Sequence, residues 1–344
     1  MLQADDIITL TKGSYSLRAP MAGSAYGIIW RAATSSGGAD VALKLINRAQ
    51  MERTHSALQA RWIASANTEI AFLRALAPWD ERHIVRLLDS GLHDGLPVMA
   101  LELLESDLGR HMAQARPAPL QILGWIAQLN QALATVHQSG WLYLDLKPAN
   151  VLLTRHGAVK LADFGTNRLR SALAADAYAG TASWQAPEQF FPNPQQRYDT
   201  DPRSDYFALG AMFYFLVTGA PLRFCADCGE AYRRHRQDAP SALLALCGGA
   251  LGPTLQEPEA ALFVQRFAGT DPDTTWCPAS GNAAADAALS LLRALLAADR
   301  ADRPQHALRI SRMIADISAR MHSTPAPHAR PATAPLHHRA WGRA

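Results

Sequence analysis

This sequence is poor in cysteine, in charge and in long apolar runs, and each shortage removes a class of answer. Four cysteines in 344 residues cannot staple a small secreted scaffold together. The one stretch that resembles a membrane span, residues 206–220, contains Gly210 and Gly219, stops at Pro221 and is too short to cross a bilayer. It reads as a buried core helix. The opening MLQADDIITL places acids where a secretory signal places Lys or Arg, and it has no long apolar segment. A cytoplasmic, reducing location without a membrane partner is therefore expected, with thiols in place of disulfides. A formal charge of only +3 and the absence of a long Lys/Arg face argue against nucleic acid as a partner. The local run Arg233, Arg234, His235 and Arg236 reads as a solvated turn. No internal repeat is found.

What is present is a globular composition, 49% hydrophobic and 18% charged, long enough for one large domain or two ordinary ones. The first hundred residues read as strands. SYSLRAP, YGIIWRA and DVALKLI are short β-type runs separated by the turn-forming TSSGGA. Residues 58–76 carry apolar side chains at helical spacing: Trp62, Ile63, Ala66, Ile70, Leu73 and Leu76. Two more strand-like runs, HIVRLLDSG and LPVMALELL, complete an antiparallel sheet with one helix. After Glu105 the character changes. Residues 120–137 form an apolar helix, VLLT and AVKLADF flank a turn at residues 155–157, and the chain from Pro187 to Met321 is chiefly helical. The tail, residues 323–344, is rich in Pro, Ala, His and Arg and is expected to be disordered.

The chemistry concentrates in Tyr143-Leu144-Asp145-Leu146-Lys147-Pro148-Ala149-Asn150. Eighteen residues beyond Asp145 stands Asp163-Phe164-Gly165, and twenty-five beyond Asp163 stands Glu188 of Ala186-Pro187-Glu188. Phosphoryl transfer from ATP needs a carboxylate to orient the attacking hydroxyl, two oxygen ligands for a magnesium ion and a cation on the phosphates. Asp145, Asn150, Asp163 and Lys44 can supply them. Any one of these motifs alone is weak, since a DFG tripeptide is a common turn and a lone Lys is usually a snorkelling surface residue.

Together, in this order and at this spacing, they resemble the eukaryotic-type (Hanks-type) serine/threonine protein kinase family, in the manner of a soluble bacterial member, over residues 15–321. The resemblance implies an α+β, bilobal fold. Residues 1–105 would form an N-lobe with an antiparallel sheet and one helix, and residues 106–322 a mainly helical C-lobe. It implies ATP and Mg²⁺ or Mn²⁺ as cofactors and proteins bearing Ser or Thr as substrates. Lys44, in Val41-Ala42-Leu43-Lys44, matches the phosphate-gripping lysine, and Glu69 the glutamate that pairs with it. Asp145 matches the catalytic aspartate, Lys147 the lysine beside the γ-phosphate, and Asn150 and Asp163 the metal ligands. Gly180-Thr181-Ala182-Ser183-Trp184 resembles the substrate-docking loop, with Thr181 at the position that bonds the catalytic Asp and Lys. Ile29, Ala42 and Leu152 would sandwich the adenine. Leu101 stands at the gatekeeper position, and the backbone from Glu102 to Leu104 would form the hinge. Glu188 with Arg303, and Asp205 beneath the catalytic loop, match the family's buried scaffold charges. Losing one partner of such a pair costs about 3–5 kcal/mol.

Three departures stand out. The glycine-rich loop keeps only Gly27 in register, with Ala22 and Ser24 at the first two glycine positions and Gly23 between them, which predicts weaker ATP binding. Tyr143 and Leu144 replace the usual His and Arg before the catalytic Asp. Leu144 cannot pair with phosphate, so activity is not expected to depend on phosphorylation of the loop containing Thr166, Ser171, Thr181 and Ser183. The interval between Asp205 and Arg303 is longer than usual and holds all four cysteines, which predicts an insert at about 223–283 and a regulatory partner there. Cys225 and Cys228 have the spacing of half a zinc knuckle, which Cys247 and Cys277, with His235 in reserve, could complete as a structural zinc site. Free thiols in a helical insert are the alternative. For the whole chain the alternatives are a pseudokinase that binds nucleotide or a partner without turnover, and a small-molecule kinase. The docking loop and Ala-Pro-Glu motif speak against the latter.

Overall fold

The computed structural model describes residues 2–23, 27–170, 180–249, 251–269 and 281–322. Along Val41-Ala42-Leu43-Lys44-Leu45-Ile46, buried and half-buried residues alternate, the period of two that marks a strand with different surroundings on its two faces. This strand lies within a six-stranded antiparallel sheet: β1 (Ile7–Thr9), β2 (Ser14–Gly23), β3 (Gly27–Thr34), β4 (Val41–Ile46), β5 (Leu87–His93) and β6 (Leu96–Glu102). The spatial order is β1-β2-β3-β4-β6-β5.

Alternation sorts the side chains of β4 and β6 between two cores. Leu43, Leu45, Val98 and Ala100 join Ile8, Leu17 and Trp30 in a small core that the sheet curls around. Met99 and Leu101 face the other way, into the main core of the molecule. The β1–β2 hairpin reaches the outer strand β5 at the other side of the sheet, where the Tyr15 hydroxyl and the Lys12 amide both donate to Asp89, at 3.0 and 2.8 Å. Closing the sheet in this way covers edges that would otherwise template aggregation.

Two helices come after β4: α1 (Arg48–Met51) and α2 (Ser56–Ala75). The latter buries Trp62, Ile70 and Leu73, as its periodicity predicts, and also Glu69 and Phe72. Leu76 lies just past its end in an extended conformation.

The rest of the chain is mainly helical. It runs through β7 (Ser106–Asp107), α3 (Leu108–Gln114), α4 (Pro119–Gln138) and the short strands β8 (Trp141–Leu142), β9 (Val151–Leu153), β10 (Val159–Leu161) and β11 (Arg168–Leu169). The helices α5 (Pro187–Phe190), α6 (Pro202–Thr218), α7 (Arg223–His235), α8 (Ala239–Leu246), α9 (Glu257–Phe267), α10 (Gly281–Leu295) and α11 (Ala307–His322) complete it. Helix α6 contains most of the apolar stretch at 206–220 and is buried on nearly every face, which explains why its sequence is apolar all round. It starts on an Asp201 cap and ends at Gly219 in the left-handed conformation. Among the described residues, no single helix is long and apolar enough to cross a membrane.

The cysteine-bearing stretch is not a detached module in the part that is described. Helices α7, α8 and α9 pack Phe224, Cys225, Cys228, Leu243, Phe263 and Phe267 into the same core cluster as α4 and α6. Arg233 and Arg234 lie at the exposed end of α7, both paired with Glu230. The tail at 323–344 lies outside the described residues.

Candidate active site

Strand β4 presents Ala42 and Lys44 on the face turned away from the small core. There the Lys44 ammonium meets two carboxylates. Nζ lies 2.7 Å from Glu69 Oε2 on α2 and 2.7 Å from Asp163 Oδ1, 119 residues further on. Burial alone lowers the pKa of the ammonium, but the charges of Asp163 and Glu69 outweigh it and hold it above its ordinary value. The two acids share one cation unequally. Glu69 is 1% exposed, and burial pushes its pKa up. The Asp163 side chain is half exposed, and Lys44 pulls its pKa down.

The next two residues in the chain, Phe164 and Gly165, fix Asp163 in place. The backbone of Asp163 itself is left-handed, φ 57°. Phe164 is fully buried, stacked on Phe72 at 4.6 Å and edge-on to Tyr143 at 5.2 Å. Gly165 passes so close to α2 that a Cβ there would sit 2.7 Å from Ser65 Oγ, and that hydroxyl donates to the Gly165 carbonyl. This Asp-Phe-Gly is therefore keyed into α2, unlike the solvent-exposed turn that the tripeptide alone could represent.

The second half of the site hangs from α6. Asp205, 0% exposed, accepts from the amides of Tyr143 at 3.0 Å and Leu144 at 2.7 Å, and bonds His137 Nε2 at 2.7 Å. Those bonds hold Leu144 at φ 65°, a conformation that costs a non-glycine residue about 1–2 kcal/mol. The Tyr143 hydroxyl donates to the Ala162 carbonyl at 2.5 Å. The tyrosine that departs from the family pattern is thus a strut between the 143–150 loop and the residue before Asp163.

Asp145 comes next. Its Oδ1 accepts from the Thr181 hydroxyl at 2.7 Å, and its Oδ2 accepts from Lys147 Nζ at 2.8 Å and Asn150 Nδ2 at 3.0 Å. Lys147 also donates to Thr181 Oγ1 at 2.8 Å. Burial raises the Asp145 pKa, and Lys147 and Thr181 offset part of the rise. The Thr181 contact shows that an alcohol fits against this carboxylate at proton-transfer distance. Asn150 Nδ2 donates to both Asp145 O and Oδ2. Its other polar atom is an amide oxygen, and Asp163 offers a half-exposed carboxylate. Oxygen donors of this kind suit a hard divalent cation.

Around the cleft, Ile29, Ala42 and Leu152 are half-buried, Ile29 pairs across the sheet with Lys44, and Ala42 pairs with the buried Leu101. The Glu102 side chain is taken by Lys160 at 2.5 Å and the Arg86 amide at 2.8 Å, and the Glu102 amide donates to the Arg86 carbonyl at 3.0 Å. Leu104 is half-buried against the main core. Gly23 ends β2 and Gly27 opens β3; Ser24 and Ser171 lie outside the described residues.

The residues from Gly180 onward reach the site through tight packing. Gly180, at φ 101°, would place a Cβ 2.6 Å from the Leu144 carbonyl, so no other residue fits. Glu188 and Arg303 form a two-bond pair at 2.7 and 2.9 Å. Arg303 also donates to the carbonyls of Ala297, Arg203 and Ala298 and lies over the Phe207 ring. Sequence reasoning finds these charges but misses Ser65, Gln189 and the Tyr143 hydroxyl. Their partners are distant in the chain and leave no local pattern.

The zinc site is corrected. Among the described residues no three His, Cys, Asp or Glu side chains gather as metal ligands. Cys225 and Cys228 are free thiols buried in α7, and burial pushes their pKa far above the ordinary value, which disfavours the thiolate a zinc ion requires. Cys247 is exposed and free; Cys277 lies outside the described residues.

Comparison with known proteins points the same way as the geometry. A family model described as "Protein kinase domain" matches residues 22–313. The chain is 32% identical over 181 residues to the serine/threonine-protein kinase PknL of Mycobacterium tuberculosis, covering 51% of this chain and 44% of that protein. It is 31% identical over 240 residues to the serine/threonine-protein kinase PkaA of Streptomyces coelicolor, covering 66% of this chain and 42% of the relative. With PknB of Mycolicibacterium smegmatis the identity is 37% over 129 residues, 35% of this chain and 20% of the relative. The matched parts are less than half the length of each of these relatives.

Proposed function

The chain belongs to the protein kinase family, and on that premise we propose that it is an active serine/threonine protein kinase, transferring the ATP γ-phosphate to Ser or Thr hydroxyls of proteins. The observation that carries this reading is a double convergence. Lys44 bridges Glu69 and Asp163, while Asp145 already holds an alcohol, that of Thr181, beside Lys147.

In the proposed mechanism the sheet region acts as the ATP-binding lobe and the helical region as the catalytic lobe of a bilobal fold. Ile29, Ala42 and Leu152 enclose the adenine, and Lys44, locked by Glu69, grips the phosphates. Asp163 and Asn150 would hold Mg²⁺ or Mn²⁺, which neutralises phosphate charge when bound. Asp145 orients the substrate hydroxyl and takes its proton as the oxygen bonds the γ-phosphorus. The bond from that phosphorus to the β-phosphate oxygen breaks, and ADP leaves. Lys147 offsets charge on the transferring group. The Lys147-Pro148 pair and the 180–184 segment support Ser/Thr in a protein as acceptor. The exposed ends of α7 and α8, with Arg233, Arg234 and Leu246, are where a regulatory partner would find purchase.

The test is transfer of label from ATP to a generic basic protein with Mg²⁺, using Asp145→Asn as the blank. Loss of a general base lowers kcat by about 10²–10⁴-fold. Wild-type activity no higher than that of the blank would leave a nucleotide- or partner-binding pseudokinase.

A further inference from the structure

Leu144, the residue before Asp145, is held at both ends of its main chain. Its N–H donates to Asp205 Oδ1 at 2.7 Å, and its carbonyl accepts from Gln189 Nε2 at 3.1 Å. Gln189 is 4% exposed. Its Oε1 accepts from the Ala186 amide at 3.3 Å, so both ends of the carboxamide are engaged, as a buried amide requires. Ala186 opens α5 just after the 180–184 segment, and Gly180 packs against the same Leu144 carbonyl from the segment's other end. Both ends of the segment therefore converge on one peptide bond, the one that leads into Asp145. The Leu144 side chain is apolar and 5% exposed and cannot carry a phosphate-linked contact between the loop and Asp145.

We propose that Gln189 is a positioning residue that couples the substrate-docking segment to Asp145 through the Leu144 carbonyl, doing with a neutral, permanent hydrogen bond what a phosphate–arginine contact would otherwise do. The coupling is built in and needs no modification. The inference rests on the kinase reading of this site for its effect on turnover, but not for its effect on the segment itself.

Two variants test it. Gln189→Met keeps the side chain's length and removes both hydrogen bonds; Gln189→Glu keeps the acceptor and removes the donor. In each, kcat for a protein substrate falls at least about tenfold while the KM for ATP stays within about twofold. Amide hydrogen exchange in the peptide covering residues 180–185 becomes at least about fivefold faster. A purely structural role would instead move the thermal midpoint and the ATP KM together. Unchanged kcat or unchanged exchange in a folded variant overturns the proposal. If Gln189→Met does not fold, Gln189→Glu decides on the same readings. If wild type transfers no phosphate, the kinase reading fails on its own and the exchange comparison still decides whether Gln189 anchors the segment.

Discussion

The sheet region and the helical region treat buried charge in opposite ways. In the helical region the two scaffold charges, Arg303 and Asp205, each have a closed set of partners. Arg303, 0% exposed in its side chain, bonds Glu188 twice and three carbonyls besides, and Asp205 is bonded by two amides and a histidine. On the sheet side, Lys44 serves two carboxylates at once, and one of them, Asp163, is half exposed. The first arrangement is complete by itself and belongs to the scaffold. The second keeps spare charge and oxygen facing the cleft, which suits a site that a ligand completes. Charged residues of one family pattern thus divide by environment into those closed within the fold and those open to the cleft.

The same chemical change made in both regions is the sharpest way to break that distinction. Glu188→Gln removes the charge opposite a fully buried guanidinium and should destabilise the protein by about 3–5 kcal/mol, read as a fall in thermal midpoint. Glu69→Gln should lower the midpoint less, because Lys44 keeps Asp163 as a second carboxylate partner at 2.7 Å. It should nevertheless lower phosphate transfer by up to about 10²-fold through a misplaced Lys44. If the two variants swapped these outcomes, the division between scaffold and working charge would be wrong.

Smaller effects refine the picture. In the proposed mechanism Asp145 works ionised, and burial raises its pKa. Activity is therefore full above the raised value and lost as pH falls through it, and the acid limb of kcat/KM should lie above the ordinary carboxylate range. A limb at or below that range would show that Asp145 is less desolvated than its burial indicates. The least effect is expected from a phosphatase. With Leu144 in place of a phosphate-binding arginine, dephosphorylated enzyme should keep its activity within about twofold. Abolition by phosphatase, with recovery on rephosphorylation, would overturn that expectation.

The working charges are legible in the sequence because chemistry restricts residue type there. In the structure Lys44 meets Glu69 and Asp163, and Asp145 meets Lys147, Asn150 and Thr181. The β-runs and the helices around 58–76 and 120–137 are legible from periodicity. The cysteines mislead. Their zinc-like spacing is also helical spacing: Phe224, Cys225, Cys228 and Ala231 form one buried face of α7, where cysteine behaves as a small apolar residue. Tyr143 reads as a lost histidine because its hydroxyl's partner, Ala162, is set by the fold and not by a motif.

The sequence by itself determined which residues could carry the proposed chemistry, the order of its parts and the alternation that builds the sheet, since these depend on residue identity and local period. Only the tertiary structure decided which charges are closed and which are open, whether CxxC faces metal or core, and what grips Leu144. The physical reason is burial, which sets the value of every charge and hydrogen bond. Gln189 meets the Leu144 carbonyl from 45 residues away, a separation across which neighbouring residues carry no signal.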